Sequence, residues 1–416
     1  MYIVVLEEKP TSRRGGQELV LFDICRGLAQ RGHKIILLYG DNENLLEQYQ
    51  KFCVQTIKVK QFRVYRPSHI FKFIASIFEI NQKIHKSQSQ LGNTIILSNQ
   101  YQDAFIGRIL SLTLNFPLIC YLHLPPPSKT SAWQWQLRYK ELKHYIAMLN
   151  LSYQILFGLR GVKKFIAVSK QTKADWVKDS YPGDMIDVVH NGINLDIYKP
   201  TTDFQKLREE WDIPEDCRII SYVGRLDKEK GLEILLNAFA LLKNTNPSSV
   251  KQIKLLIAGK PVLLGEEYKT TLEQLTADLG IQNDVKFLGH VSNTTSLYQV
   301  SDVTVLPSRW SEPFPRSIIE SMACGTPVVA SRTGGIPESL TEEFQRGLFE
   351  PGNETELSNT LSQIINWREE DPQLGARCRQ HAVSKFSTDR MIRDIEQILE
   401  NQFNPTLPHL ATRTTV

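Results

Sequence analysis

The feature that most constrains the fold is an alternation of short apolar runs with amphipathic segments, which occurs twice along the 416-residue chain. In the first series, the apolar run 2–6 leads through a loop with Gly15 and Gly16 into an amphipathic segment, and a second apolar run follows at 34–40. This order of strand, turn, helix and strand predicts a right-handed parallel unit. Further apolar runs extend the predicted sheet at 94–99, 117–123, 164–169 and from Ile186.

The second series begins near Arg218, and its apolar runs lie at 219–224, 253–259, 285–289, 302–307 and 327–331. Between the first two of these runs, five apolar residues recur at helical spacing: Leu232, Leu235, Leu236, Phe239 and Leu242. Two such series predict an α/β protein with two Rossmann-like, doubly wound parallel-sheet domains that face a central cleft. Ligands of such sheets bind beyond the carboxyl ends of the strands, so the loops there are the candidate site.

The composition suits a globular chain, with 41% hydrophobic and 23% charged residues. No run of about 18 apolar residues occurs, so the sequence predicts no membrane-spanning helix. The chain opens directly on a strand pattern, and we therefore expect no secretory leader. The six cysteines form no Cys-x-x-Cys pair or metal-type cluster, which favours reduced thiols in a cytoplasmic protein.

Three loops at predicted strand ends carry candidate binding groups. Gly16 lies between the first strand and helix, where a glycine lets backbone approach a ligand and the helix start favours an anion. His123 ends the run 117–123, and a lone histidine there is either a satisfied structural residue or a site residue. Arg225 follows a strand end and Lys230 precedes the next helix, and two such cations suit a diphosphate.

A fourth loop lies in the stretch 308–331, where Glu312 precedes a helix start and Glu320 falls in the second turn of that helix. Pro315 suits the first helical position, because its missing N–H is not needed there. Carboxylates suit the paired hydroxyls of a sugar or a ribose, and the helix start between them suits a phosphate. This pattern describes a nucleotide-sugar site. The alternative is that Glu312 caps the helix and Glu320 lies in solvent.

Taken together, these loops resemble the retaining glycosyltransferases of the GT-B fold, and specifically the large glycosyltransferase family 4. The resemblance covers nearly the whole chain and peaks over 306–338, "LPSRWSEPFPRSIIESMACGTPVVASRTGGIPE". In this context the spacing Glu312-x7-Glu320, followed by Gly334 and Gly335, is a strong signal, whereas a bare pair of glutamates is not.

The resemblance implies donor-side roles for four charged residues. Arg225 and Lys230 would bind the donor diphosphate and stabilise the charge that grows on the leaving group. Glu312 would hold hydroxyls of the transferred sugar, and Glu320 would hold the ribose diol. Arg225, Lys230, Glu312 and, on the same basis, His123 are the expected catalytic residues.

The resemblance also implies contacts made by smaller or less polar groups. Gly16 would bring its backbone to the donor diphosphate or to the acceptor, and His123 would contact the transferred sugar. Phe314, Pro315 and Arg316 would line the donor at the helix start. As a separate hypothesis, we expect the backbone N–H groups of Arg316 and Ser317, with the Arg316 guanidinium, to replace the phosphate donor that Pro315 lacks.

The implied reaction moves a hexose-type sugar from a UDP- or GDP-sugar to a hydroxyl of a glycan, lipid or small-molecule acceptor, with retention by front-face attack. No Asp-x-Asp motif occurs, so we expect neither a metal nor any other cofactor. Two alternatives stay open: a nucleotide-sugar epimerase on the same fold, and a nucleotide-sugar-binding protein with weak or no turnover. The form of the segment 258–267 leaves the base of the donor undecided.

We expect residues 1–195 to form the acceptor-side domain and residues 196–384 to form the nucleotide-sugar-binding domain. A closing helix at 385–403 would pack back toward the N-terminal domain, and 404–416 would be a tail. The aromatic and basic stretch 125–160, with Trp133 and Trp135, is either part of the acceptor or membrane surface or a family-variable excursion.

Charge is divided unevenly between the two halves. Residues 1–190 hold 25 Lys+Arg and 14 Asp+Glu, a net of +11, whereas the remainder holds 24 and 31, a net of −7. The densest basic part is 51–86, where eight Lys and Arg accompany Glu79 alone, with aromatics interleaved. It is either a solvated helix whose aromatics face the core, or a surface for anionic lipid at the inner membrane face or for a phosphorylated acceptor. A nucleic-acid partner is not expected, since no binding-module signature is present.

Overall fold

The computed structural model describes residues 1–13, 15–86, 92–126, 142–214, 216–245, 252–261 and 265–403. The expected tail 404–416 and the residues Trp133 and Trp135 lie outside the described residues. Contacts divide the chain into two compact units. The first contains Met1–His190 together with the chain from Asp389 on, and the second contains Asn191–Thr388.

A parallel sheet of seven strands forms the centre of the first unit, in the order β3-β2-β1-β4-β5-β6-β7. Its strands are β1 (Tyr2–Glu7), β2 (Lys34–Tyr39), β3 (Gln55–Lys58), β4 (Thr94–Ser98), β5 (Leu118–Leu122), β6 (Val162–Ala167) and β7 (Ile186–Val188). Tyr2 lies opposite Lys34 on one side and Thr94 on the other, so the strand order reverses between β1 and β4. Such a switch point is where doubly wound sheets bind ligands.

Among the residues described before Asn191, six helices belong to this unit: α1 (Gly16–Gln30), α2 (Leu46–Gln50), α3 (His69–Lys86), α4 (Ala104–Leu114), α5 (Leu142–Leu159) and α6 (Lys170–Lys178). Helices α3, α4 and α5 share one buried cluster with the sheet, to which they contribute Phe73, Leu110 and Leu159. These three helices therefore form one layer on the sheet.

The second unit repeats the plan with six parallel strands in the order β10-β9-β8-β11-β12-β13. They are β8 (Arg218–Val223), β9 (Ile253–Ala258), β10 (Val285–Gly289), β11 (Val303–Leu306), β12 (Val328–Ser331) and β13 (Leu348–Phe349). The order reverses between β8 and β11, so the second switch point lies at the ends of these two strands.

Nine helices of the second unit are described: α7 (Phe204–Glu210), α8 (Leu232–Thr245), α9 (Glu266–Asp278), α10 (Thr294–Val300), α11 (Arg316–Ala323), α12 (Ile336–Ser339), α13 (Glu354–Ile364), α14 (Trp367–Glu370) and α15 (Leu374–Lys385). The five apolar residues predicted to form one face of α8, from Leu232 to Leu242, are all fully buried. The helical period thus placed this face correctly against the core.

The last described helix is α16 (Thr388–Glu400), which belongs to the first unit from Asp389 on. It packs on α1 so closely that a Cβ on Gly27 would lie 1.9 Å from Cδ1 of Ile392. Arg31 adds ion pairs to Asp389 at 2.5 Å and to Glu396 at 2.8 Å.

The cysteines and the helix lengths bear on two further expectations. All six cysteines are free, as the sequence predicted. Among the described residues, no helix combines the length and the apolar character that a membrane crossing requires.

Candidate active site

The charged loops of the second unit meet at its switch point. Arg225 lies two residues beyond β8, and Ser308 lies two residues beyond β11. Because these strands are neighbours and parallel, their carboxyl ends open on the same edge of the sheet. The loop with Glu312 and the start of α11 follow directly, so the predicted donor-side residues of this unit are gathered at one edge.

The centre of this site is an ion pair between Lys230 and Glu312. Nζ of Lys230 lies 2.5 Å from Oε1 of Glu312, and the Ser308 hydroxyl donates to the same oxygen at 2.6 Å. The side chains of Lys230 and Glu312 are only 14% and 8% exposed. Two charges so far removed from water stabilise each other, because a single buried charge would have no compensation for most of the free energy of hydration that it has lost. The sequence assigned these residues to different parts of a donor and did not predict that they pair.

Two glycines make this packing possible. Gly231, which ends the short 3-10 turn Lys228–Lys230, has φ +69°, and a Cβ there would lie 2.1 Å from the Pro307 carbonyl oxygen. Gly334 has φ +58°, and a Cβ there would lie 2.2 Å from the Glu312 carbonyl oxygen. Both positions are closed to other residues by backbone conformation and by space. The Gly335 N–H donates to the Glu312 carbonyl at 2.7 Å, which ties the loop down.

Glu320 is buried on α11, where two side chains hold it. The Tyr298 hydroxyl donates to Oε2 at 3.1 Å, and Nε of Arg316 lies 3.2 Å from Oε1. Burial, with the Glu320 charge as the next cause, raises the pKa of Tyr298 well above its ordinary value, so this hydroxyl keeps its proton. The alternative that placed Glu320 in solvent is wrong. Glu312 does not cap the helix either, since its carboxylate serves Lys230 and Ser308 and no side chain caps α11.

Pro315 corrects one prediction about the helix start. Its φ of −74° and ψ of 125° are extended, so it occupies the N-cap position and α11 begins at Arg316, one residue later than expected. The side chain of Phe314 is buried and packs on Phe386 with ring centroids 5.5 Å apart, and its carbonyl accepts from Asn191 at 3.1 Å. A donor contact of Phe314 would therefore have to be made by its backbone.

Arg225 forms a separate pair at the end of β8. Its Nη1 lies 2.7 Å from Oδ2 of Asp227, a carboxylate that is buried while the arginine side chain stays 35% exposed. The Tyr222 hydroxyl donates to the Arg225 carbonyl at 2.6 Å. The loop backbone and the guanidinium are thus both held, with part of the cation facing water.

His123 lies in the first unit, directly beyond β5, and belongs to a buried network. Its Nε2 is 2.9 Å from Oδ1 of Asn99, and Nδ2 of Asn99 donates to Glu7 at 2.5 Å. With the amide assigned in this way, Nε2 of His123 carries the proton and Nδ1 is an acceptor. Burial lowers the pKa of His123 to about 3, so the ring is neutral at physiological pH. Tyr121 stacks on it at 4.5 Å.

The network contains residues that the sequence analysis missed. Burial, followed by the charges of Asp103 and Glu18, raises the pKa of Glu7 well above its ordinary range. Glu7 ends β1 and Asn99 follows β4, so both occupy the switch point of the first sheet. The rule that selected His123, a polar residue at a strand end, would have found them as well. Gly16 begins α1 and is exposed; Gly15 before it is extended, with φ 170°.

A metal site was not expected, and the described residues offer one grouping to test. His33, Glu396 and Glu400 could direct ligand atoms to a common point. Glu396, however, already bonds His33 at 2.7 Å and Arg31 at 2.8 Å. This cluster connects α16 to α1 and contains none of the predicted site residues, so we interpret it as an ion-pair set.

Comparison with known proteins places the chain in a family. The model of "Glycosyltransferase Family 4" matches residues 14–197, and that of "Glycosyl transferases group 1" matches residues 203–381. The D-inositol 3-phosphate glycosyltransferase of Mycolicibacterium smegmatis is 32% identical over 204 residues, which are 49% of this chain and 44% of that protein. The matched part thus spans about half the length of such relatives. The N-acetyl-alpha-D-glucosaminyl L-malate synthase of Bacillus anthracis is 25% identical over 92% of this chain and 93% of its own.

Solved structures agree with this placement at the level of the fold. Anabaena HepE in complex with UDP has a TM-score of 0.76 at 24% identity, covering 96% of this chain and 100% of its own. A glycosyltransferase from Rickettsia africae has a TM-score of 0.76 at 21% identity, covering 97% and 98%. Two parallel Rossmann-like sheets with such neighbours confirm the predicted GT-B fold. The protein thus belongs to glycosyltransferase family 4, the group 1 glycosyl transferases.

Proposed function

We propose that this glycosyltransferase moves a hexose-type sugar from a UDP- or GDP-sugar to a hydroxyl of a glycan, lipid or small molecule, with retention and without a metal. The observation that carries the proposal is the buried pair of Lys230 and Glu312 at the second switch point, beside the uncapped start of α11. A cation, a carboxylate and the start of a helix suit a diphosphate joined to a sugar. Structures of Anabaena HepE with UDP and glucose and with UDP-glucose are in keeping with this donor class.

The proposed step needs no protein nucleophile. The bond from the anomeric carbon to the diphosphate oxygen breaks, and a new bond to the acceptor oxygen forms on the same face. The acceptor proton passes to the departing diphosphate oxygen. Arg225 and Lys230 would stabilise the negative charge that grows there, which is the electrostatic part of the catalysis. Two fixed cations would do the work that a metal ion does in other transferases.

The carboxylates are proposed to orient the donor. Glu312, fixed by Lys230 and Ser308, would accept hydrogen bonds from sugar hydroxyls. Glu320, fixed by Tyr298 and Arg316, would accept from the ribose diol. Each carboxylate is held before the donor arrives, which lowers the entropy lost on binding.

The roles of Gly16 and His123 in the first unit stay predictions. A neutral His123 donates a hydrogen bond from its Nε2–H to Asn99, so its Nδ1 would accept a hydrogen bond from a sugar hydroxyl. It is a poor general acid, because its pKa of about 3 keeps it unprotonated near neutral pH. The free cysteines agree with a reducing, cytoplasmic location, which is also part of the proposal.

A thermal-shift screen tests the donor class. UDP, GDP and their sugars should raise the melting temperature, because a ligand of the native state stabilises it. The donor so identified is then incubated with EDTA and candidate acceptors, and the anomeric configuration of the product is determined. Inversion, an absolute metal requirement, or epimerised donor without transfer would each refute the proposal. Binding without any turnover would favour the alternative of a nucleotide-sugar-binding protein.

A further inference from the structure

Helix α3 of the first unit exposes large apolar side chains to water. Phe71 is 82% exposed, Ile74 is 58% exposed and Phe78 is 64% exposed. With Ile70, these residues recur at i, i+1, i+4 and i+8, which places them along one side of the helix. We call these four residues the α3 stripe.

The α3 stripe is not needed to attach the helix to the protein. The opposite side of α3 is buried in the core through Phe73, Ile77, Ile80 and Ile84. Folding therefore explains the inner apolar side and leaves the outer one unexplained. Contiguous exposed apolar residues of this size mark an interaction surface in most proteins. Two interpretations of the segment 51–86 were open. The one in which its aromatic residues face the core is wrong for Phe71 and Phe78.

Exposed basic residues lie on α3 and before it. Lys72 follows Phe71 directly, Arg66 lies four residues before Ile70, and Lys58 and Lys60 precede the helix. The one acidic residue of α3, Glu79, is paired with Lys83 at 2.7 Å and with Lys60 at 3.6 Å. Among the described residues, α3 therefore presents exposed basic side chains while its own carboxylate is paired, which suits an anionic partner.

Helix α5, in the same layer, adds to this surface. Tyr153 is 71% exposed and Phe157 is 41% exposed. Phe157 contacts Phe105 at 5.9 Å, and Phe105 stacks on Phe73 of α3 at 5.3 Å. A continuous row of aromatic rings thus links the two helices beneath their exposed residues. Aromatic residues are enriched where proteins meet the membrane interface.

We propose that the α3 stripe lies on the surface of an anionic membrane, with its phenylalanines among the acyl chains and the surrounding lysines and arginines at the headgroups. A helix that lies in the interface has this composition, with Phe and aliphatic residues on one side and Lys and Arg beside them. The 18 residues of α3 are held on the first unit by the buried side of the helix, so the stripe is presented as a fixed surface. A protein partner would need acidic groups opposite these lysines and arginines. An anionic phospholipid carries that negative charge in its headgroup, so the charge favours phospholipid. The inference does not rest on the proposed function, because membrane binding is measured without donor or acceptor.

The test is co-sedimentation of the full chain with vesicles of phosphatidylcholine alone and of phosphatidylcholine with about a third phosphatidylglycerol. We expect binding to the anionic vesicles only, weakened by high salt because the headgroup contacts are electrostatic. The double variant Phe71→Ser/Phe78→Ser should lower the affinity by roughly 100-fold, since each phenylalanine loses most of its apolar burial. Lys72→Glu should lower it at least about fivefold. The matched control is Val383→Ser on α15, a residue 42% exposed in the second unit, which should bind as the wild type does.

Each variant should melt as the wild type does, because all three residues are exposed. Equal sedimentation with neutral vesicles, no sedimentation with anionic ones, or full binding by the phenylalanine variant would each overturn the proposal. Light scattering tests whether the stripe is instead an interface between two copies of the protein. A wild-type dimer that the phenylalanine variant converts to a monomer would assign the stripe to a protein interface and overturn the membrane assignment.

Discussion

Replacing Lys230 with methionine separates the structural role of the buried pair from its catalytic role. Methionine keeps the unbranched stem and removes the charge, so Glu312 is left buried with the Ser308 hydroxyl as its remaining contact among those named above. Removing one partner of a buried ion pair costs about 3–5 kcal/mol. Both side chains keep slight exposure, 14% and 8%, so we expect the lower end of this range.

The expected change in stability is large enough to measure. For a unit of this size, from Asn191 to Thr388, 1 kcal/mol corresponds to about 2–4 °C in melting temperature. Lys230→Met should therefore lower the melting temperature of the second unit by roughly 6–12 °C. The double variant Lys230→Met/Glu312→Gln removes the isolated charge and keeps a neutral acceptor for Ser308. It should recover about half of this loss, to within about 1–2 kcal/mol of the wild type.

Turnover should follow a different course. The cation proposed to stabilise the leaving group is absent from both variants, so each should lose about 100-fold or more in transfer rate. The rate is followed as release of the nucleotide diphosphate, under conditions where both variants are folded. Lys243→Met, which breaks the pair to Asp284 on the same unit, is the matched control. Because the lysine is 33% exposed, this control should cost under about 1 kcal/mol and leave the rate unchanged.

Two results would refute this reasoning. If Lys230→Met melted as the wild type does, the pair would not be desolvated as the structure has it. If the double variant regained both stability and turnover, Lys230 would act only by neutralising Glu312, and the proposed role at the diphosphate would be wrong.

Three further predictions concern the other site residues. Glu320→Gln should weaken binding of the nucleotide by about tenfold, whereas Glu312→Gln should lower the transfer rate or change sugar choice, and calorimetry with kinetics checks both; equal, negligible effects would contradict both roles. Transfer should survive excess EDTA, and loss of activity that only a metal restores would count against two cations as the electrostatic stabilisers. Burial keeps the pKa of His123 at about 3, below the unfolded value, so the unfolded chain binds the proton first and stability should fall as pH drops below about 6.5, by up to about 1.4 kcal/mol per unit. His123→Gln should flatten this part of the melting-temperature profile, and an unchanged slope would show that His123 is not buried as a neutral ring.

The pattern of alternating apolar runs was enough to predict both sheets, because central strands such as β4 and β5 are buried along their whole length and are mostly apolar. The two strands that were missed explain the limit of this signal. Gln55–Lys58 lies at the edge of its sheet and has Ile57 as its one apolar residue, and Leu348–Phe349 is only two residues long. Neither has enough apolar residues to be distinguished from a loop, and only pairing with β2 or β12 makes them strands.

The site was predictable to the level of which loops carry it, and no further. Strand ends and helix starts selected Arg225, Lys230, Glu312 and Glu320, but the pairing of Lys230 with Glu312 joins positions 82 residues apart. Pro315 was misplaced by one position for a related reason. Its extended ψ follows from a loop whose path is fixed by the burial of Phe314 on Phe386, a contact that no local pattern contains.

The surroundings of two buried glutamates show most clearly why residue type and position in the sequence are not enough to predict what a side chain does. Glu7 and Glu312 both lie near the carboxyl end of a strand and are both buried, at 2% and 6% exposure. Glu312 has Lys230 within 2.5 Å, so its charge has a partner. Glu7 faces the carboxyl groups of Asp103 and Glu18, which add to burial in raising its pKa and favour the neutral acid. One glutamate therefore has a cation beside it, whereas the other lies in a hydrogen-bond network beside carboxyl groups that raise its pKa. The difference comes from residues brought close by the fold, so it could be assigned only once the neighbours were known.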